Sequence, residues 1–359
     1  MNAARLVDAV AAPLDVARRG LLSTVTRSRG LTLVVARRDT RVPVLATVQI
    51  TLLLAVTATR PLWLFLFGPL VLGVPHLASD VRYLLVRRSV ARSVVILAAV
   101  ASALIVALRA LPLAHVLVPH AARLEVLTGA IWIAAAVVAG ARERRSAWPL
   151  LAMPALSALG VYVAAHPGVT RIVLAQGHNL VGVALWLLLF RRNRWAAVAP
   201  LIALAAGTGL LLSRATLDWT MRVGGLEGLG VDLWRVGATM APGAPPVIGV
   251  STALVFVFLQ AVHYAAWLVW IPQDALAGPG MLTFRMSGRS LVRDLGVLGL
   301  GGVVAGAVVL AGAAAFDARA AVGAYMSLAT FHAYLELAML AYFVARGRSD
   351  GLDPRAATG

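Results

Sequence analysis

Cysteine and lysine are both missing from this chain of 359 residues. Without cysteine there is no disulfide, no iron–sulfur cluster and no thiolate metal site. Charge is scarce as well: 13% of the residues are charged, whereas 60% are hydrophobic. Soluble domains run about 25% charged and about 45–50% apolar. That contrast excludes a soluble protein with a large core and leaves an integral membrane protein. The sequence also lacks a phosphate loop, a serine–histidine nucleophile elbow and a Rossmann glycine pattern after a strand. No internal repeat, low-complexity segment or soluble domain interrupts it.

What charge there is carries one sign. The net charge is +17, and every basic residue other than histidine is an arginine. A nucleic-acid reader would need a soluble basic face. Here the arginines stand in short runs between apolar stretches, so no nucleic-acid partner is expected; the runs are the orientation signal of a multi-pass membrane protein.

A crossing needs roughly 20 mostly apolar residues, and about ten candidates emerge. They cover about 43–60, 62–86, 93–112, 124–140, 147–165, 170–190, 195–213, 247–271, 291–315 and 321–345. Arginine runs follow each even-numbered span, at Arg87–Arg88–Arg92, Arg142–Arg144–Arg145, Arg191–Arg192–Arg194, Arg285–Arg289–Arg293 and Arg346–Arg348. All of them fall on one side, as does the arginine-rich N-terminus. The expected fold is an all-α, polytopic membrane helix bundle with both termini cytoplasmic, in a bacterial inner membrane. Residues 1–42 lack the uninterrupted apolar core of a secretory signal. They read as a basic, amphipathic cytoplasmic segment on the membrane surface, with 43–346 as one transmembrane domain and 347–359 as a cytoplasmic tail. The stretch 214–246, with its APGAPP run, reads as an outer connector. His115, His120 and His166 fall at outer loops and read as solvated.

Ionisable residues inside a span are expensive and mark function. Four segments carry them: GVPHLASD at 73–80, AQGHNLVG at 175–182, FLQAVHYAAW at 258–267 and ATFHAYLEL at 329–337. His76 and Asp80 are four apart, as are His332 and Glu336, so each pair shares a helix face. A carboxylate one turn from a histidine ligates the same metal or sets the imidazole tautomer. Counting about 1.5 Å per residue from the outer ends puts His76 and His263 in the inner half, His332 near the middle and His178 in the outer half. Convergence of the four is an expectation. Imidazoles without cysteine suit iron, copper or zinc. Gln176, Asn179 and Gln260 are candidate partners behind the ligands, and Tyr264 and Trp267 a candidate wall for an apolar substrate. Pro75 is expected to kink its helix just before His76.

Taken in order, these motifs resemble the Brp/Blh family of membrane β-carotene 15,15′-dioxygenases. Gly73, Pro75, His76 and Asp80 match the family's opening motif, with Leu77 in place of its second glycine. His178 fits by order, His263 matches the first of two family histidines, and Trp267 stands where the second belongs. His332 with Glu336 is similar to the histidine and acid of the last family helix. The resemblance implies a non-haem Fe2+ held by His76, His178 and His263, with His332 or a carboxylate completing the set. It also implies dioxygen-dependent cleavage of a carotenoid or another lipid.

The first expectation is therefore a membrane oxygenase acting on a lipophilic substrate, with His76, His178, His263 and His332 as ligands and Asp80 and Glu336 ligating or orienting. The alternatives are a transporter or proton relay using the same intramembrane groups, a haem protein with axial histidines, and an assembly protein in which the histidines hold helices together.

Overall fold

The computed structural model describes residues 3–191, 193–228, 230–276 and 280–347. It is a helical bundle. In chain order the helices are α1 (Ala3–Val25), α2 (Arg29–Ala36), α3 (Arg38–Thr59), α4 (Pro61–Val86), α5 (Arg92–Leu113), α6 (Ala121–Arg144), α7 (Trp148–Ala165) and α8 (Pro167–Phe190). They continue as α9 (Trp195–Leu211), α10 (Arg214–Arg222), α11 (Leu233–Met240), α12 (Pro246–Asp274), α13 (Phe284–Leu328) and α14 (Thr330–Arg346). Two two-residue strands, β1 (Glu227–Gly228) and β2 (Val231–Asp232), pair between α10 and α11. The expected tail at 347–359 lies outside the described residues beyond Gly347.

Among the described residues, eight helical units are long and apolar enough to cross a membrane, or nine if the bent pair α9–α10 counts as one. The last unit, Phe284–Arg346, holds 63 residues. At about 1.5 Å per residue it is far too long for one crossing of about 30 Å. It breaks at Gly296, whose φ of 70° suits glycine, and at Asp317, whose carboxylate accepts the Ala320 N–H at 2.9 Å and restarts the helix. The two spans expected at 291–315 and 321–345 fall on either side of the Asp317 break. The seventh expected span, 195–213, matches α9, which stops at Leu211, where the chain turns by 70° into α10. The 214–246 connector is thus structured, and its α11 seats backbone to backbone on α12, where Gly237 meets Gly249 with no room for a Cβ on either.

Helix α12 is the central rod. Some 72% of its apolar window is buried, against 11% for the peripheral α7. A helix apolar all round belongs in the middle of a membrane bundle. Around it, four turns widen into π-helical segments: Gly68–Leu72 and Arg82–Val86 in α4, Trp186–Phe190 in α8 and Ala266–Trp270 in α12. Such segments insert an extra residue and cluster at functional sites. The break expected at Pro75 takes this form. Proline has no N–H for the Val71 carbonyl, and Val71 lies inside the first π segment.

The arginine runs do gather at one end of the bundle. Arg38 donates to the Leu276 carbonyl at 2.5 Å, Arg191 to the Asp274 carboxylate at 3.0 Å, and Arg346 to the Ser89 carbonyl at 2.9 Å. Arg82 and Arg87 both reach Asp294 at 2.7 Å. Several of these arginines therefore clamp helices together as well as marking an end. At the opposite end Arg109, Arg171 and Tyr334 converge on the fully buried Glu125.

Helix α1 has a protein partner as well as an amphipathic pattern. Its Asp15 accepts the N–H groups of Phe284 and Arg285 at 2.8 and 3.2 Å, capping the start of α13. Its Asp8 accepts from Arg289 at 2.8 Å. The hydrogen bond from Arg289 holds the Asp8 carboxyl below the usual carboxylate range. Burial pushes Asp15 up, but the backbone N–H groups and Arg285 outweigh it and leave that carboxyl lowered too.

Candidate metal centre

The four intramembrane histidines come together. His76 comes from α4, His178 from α8, His263 from α12 and His332 from the first turn of α14, and all four are buried. The His76 ring lies 4.7 Å from that of His263 and 4.9 Å from that of His332; the His178 ring lies 5.3 Å and 5.0 Å from the same two. The ligand atoms of His76, His263 and His332 lie within 4.8 Å of one another, as do those of His76, Asp80 and Glu336. His178 borders the first group without belonging to it. The structure thus brings into one cluster four histidines whose counted depths spread across the membrane.

Close backbone approach makes this possible. A Cβ on Gly182 would stand 2.7 Å from Nδ1 of His263 and 2.9 Å from Nε1 of Trp267, so only glycine lets α8 touch α12 there. A Cβ on Gly73 would strike the Tyr325 ring at 2.4 Å. The Ser79 hydroxyl ties α4 to α12 by donating to the Trp267 carbonyl at 2.8 Å, inside the last π segment.

One pattern governs all four imidazoles. Each turns Nδ1 to an oxygen: His76 to Asp80 Oδ1 at 3.3 Å, His178 to the Leu174 carbonyl at 2.9 Å, His263 to the Asn179 carbonyl at 3.3 Å, and His332 to the Ala329 carbonyl. A carbonyl or carboxylate at Nδ1 fixes the proton there and leaves the Nε2 lone pair free. The Nε2 atoms of His76 and His263 then face each other at 3.3 Å, and Glu336 Oε1 lies 3.2 Å from that same His263 nitrogen. The Nδ1 of His76, the Nε2 of His332 and both oxygens of Asp80 and of Glu336 are buried without a hydrogen-bond partner, so the 3.3 Å approach of Asp80 to His76 is a contact and not a hydrogen bond. Each uncompensated buried carboxylate costs several kcal/mol. Acceptors facing acceptors are unstable unless a cation sits among them or one of the groups takes up a proton. The spacing of 3.3 Å suits two neighbouring ligands of one ion with metal–nitrogen bonds of about 2.1 Å. It leaves no room for a porphyrin between two axial histidines.

The residues around the ligands sort differently from the sequence reading. Asn179 serves through its backbone carbonyl; its side-chain amide donates to the Ala175 carbonyl at 3.1 Å. Gln260 turns to Met326 Sδ at 3.3 Å. Gln176 buries its amide nitrogen without a partner. Tyr264 and Trp267 do line the cluster, with rings 5.1 and 6.4 Å from that of His76. Tyr325, Ser79, Gly73 and Gly182 were not among the expected site residues. The available signals were Gly73 and Ser79 inside GVPHLASD and Gly182, four residues after His178, inside AQGHNLVG. His115, His120 and His166 are exposed, as expected.

Comparison with protein-family profiles, with curated proteins and with solved structures finds no match to this chain.

Proposed function

We propose that this protein is a membrane oxygenase in which a non-haem ferrous ion is held among His76, His263, His332 and Glu336, with His178 beside them, and acts on a lipophilic substrate. The observation that supports this reading most is the shared orientation of the imidazoles, with Nδ1 of His178, His263 and His332 tied to a backbone carbonyl, Nδ1 of His76 facing Asp80, and Nε2 left to a ligand. The donor set of imidazole and carboxylate, without thiolate, suits iron among the common metals. When bound, such an ion supplies open coordination positions for activating dioxygen.

The chain's own residues do the rest. Asp80, whose Oδ1 lies 3.3 Å from Nδ1 of His76, is placed to orient that ring. The carbonyls of Leu174, Asn179 and Ala329 hold the other three. Tyr264 and Trp267 give the site an apolar wall against which a lipid chain packs. The surrounding core keeps water from the reacting atoms. A bilayer-dissolved substrate enters between helices without crossing water. By resemblance to the Brp/Blh pattern, a carotenoid is the first substrate to try, in a bacterial inner membrane with both termini cytoplasmic.

The test is metal analysis of protein purified in detergent, with a visible spectrum and dioxygen uptake on added β-carotene from the same sample. Iron close to stoichiometric with the chain, lost in His76→Ala and His263→Ala, supports the reading. Full activity in metal-free protein ends it.

A further inference from the structure

The cluster is joined to the arginine-rich end of the bundle by buried tryptophans. Trp267, Trp270 and Trp186 are all essentially sealed from solvent. Trp267 borders the cluster, its ring 6.4 Å from that of His76. Trp270 follows three residues later in the same π-helical segment. Its ring lies 5.2 Å from that of Trp186 on α8. The Trp186 indole donates to Asp274 Oδ2 at 2.8 Å, and Asp274 pairs with Arg191. Arg191 in turn reaches the exposed carboxylate of Asp39 at 3.7 Å, at the surface of the bundle. Exposed Arg37, Arg194 and Trp195 surround this end.

An interfacial tryptophan belt would place indoles at the rim, with their N–H groups toward headgroups and water. These three run inward from the rim, and two of the N–H groups end on protein acceptors, the buried Asp274 and the half-buried Gln49. Electron tunnelling weakens steeply with distance through saturated side chains and is carried better by aromatic rings. A ferrous centre sealed in a membrane also needs a way back from the ferric state that no water-soluble reductant can reach directly.

We infer that Trp186, Trp270 and Trp267 form the electron path by which a one-electron donor in water reduces the buried ion. The inference rests on the proposed iron centre. In the step, the donor loses one electron and the ferric ion gains it. No bond forms or breaks, and the tryptophans end as they began. The basic end favours an anionic donor.

The experiment uses full-length protein in nanodiscs, iron-loaded and oxidised to ferric. Its ferric resonance is followed without oxygen after adding ascorbate, which stays in water, or duroquinol, which partitions into lipid. Trp186→Leu should slow reduction by ascorbate several-fold, with iron content and the duroquinol rate unchanged. Trp186→Tyr, which keeps an aromatic ring, should stay close to the parent protein, as should Trp219→Leu at the opposite end. Trp270→Leu repeats the test one step nearer the ion. An unchanged ascorbate rate in fully iron-loaded Trp186→Leu and Trp270→Leu overturns the path alone. Equal slowing with both reductants overturns it as well, because that reports a disturbed site. A chain that binds no redox-active metal overturns the path together with the proposed function.

Discussion

Nε2 of His76 and Nε2 of His263 point at each other across 3.3 Å, with Nδ1 of His263 turned to the Asn179 carbonyl and Nδ1 of His76 lying 3.3 Å from Asp80. Two acceptors in that position repel unless a cation lies between them or one imidazole changes tautomer. Replacing either histidine by alanine should therefore abolish iron binding, and replacing the exposed His166 should not. Iron per chain by elemental analysis checks this.

Asp80 acts through His76. Second partners of this kind typically contribute 10–100-fold in metal affinity, so Asp80→Asn should weaken iron binding by about that factor. Glu336 lies at the ligand side of His263, and Glu336→Gln should cost more than Asp80→Asn. Competition with a chelator of known affinity ranks the two.

Gly182→Ala places a methyl group where Nδ1 of His263 and the Trp267 indole already stand. Overpacking of this kind costs about 1–3 kcal/mol. The variant should melt at lower temperature in detergent and lose iron, whereas Gly177→Ala, with open space at its Cβ, should do neither. Matching melts for the two variants would count against the packing described.

Glu125 is fully buried among Arg109, Arg171 and Tyr334, far along the chain from the histidine motifs. Removing one partner of a buried ion pair costs about 3–5 kcal/mol. Here the arginines are partly exposed, so Glu125→Gln should cost about 3 kcal/mol, toward the lower end. Iron per folded molecule should not change. A denaturation series in mild detergent reads the first and elemental analysis the second.

The docking of α1 on α13 should depend on pH. Asp8 and Asp15 are both held below the usual carboxylate range when docked. A depressed carboxyl stabilises the docked form above its undocked pKa and ceases to do so as pH falls through the docked value. Helix α1 should thus stay bound at neutral pH and loosen in acid below the ordinary carboxylate range. Protease cleavage near Arg27 and Arg29, compared at neutral and acid pH with a reporter peptide as control, measures the release.

Much of this was legible in the sequence. Apolar run length and arginine placement gave the helices and their shared end, because membrane thickness and charge distribution act on the chain locally. The histidine and acid spacings exposed which residues share a helix face. Convergence was not legible, since it depends on where α4, α8 and α14 sit along α12. The π segments likewise have no sequence signature beyond Pro75. The break at Gly296 was missed because the apolar run from Leu295 onward passes through it without interruption. Asp15 capping α13 joins residues some 270 positions apart, and no local pattern reports that contact.

The widened turns also limit how this chain can change over generations. A π segment holds one residue more than the α-helix would need. Losing a single residue between 68 and 72, or between 266 and 270, would restore the tighter winding and swing everything on one side of the cut by about 100°. In α4 that rotation separates the imidazole of position 76 from the helix before it. In α12 it carries the tryptophan at 270 away from its partner on α8. Length in these stretches should thus be guarded more strictly than the identity of the leucines and valines that fill them.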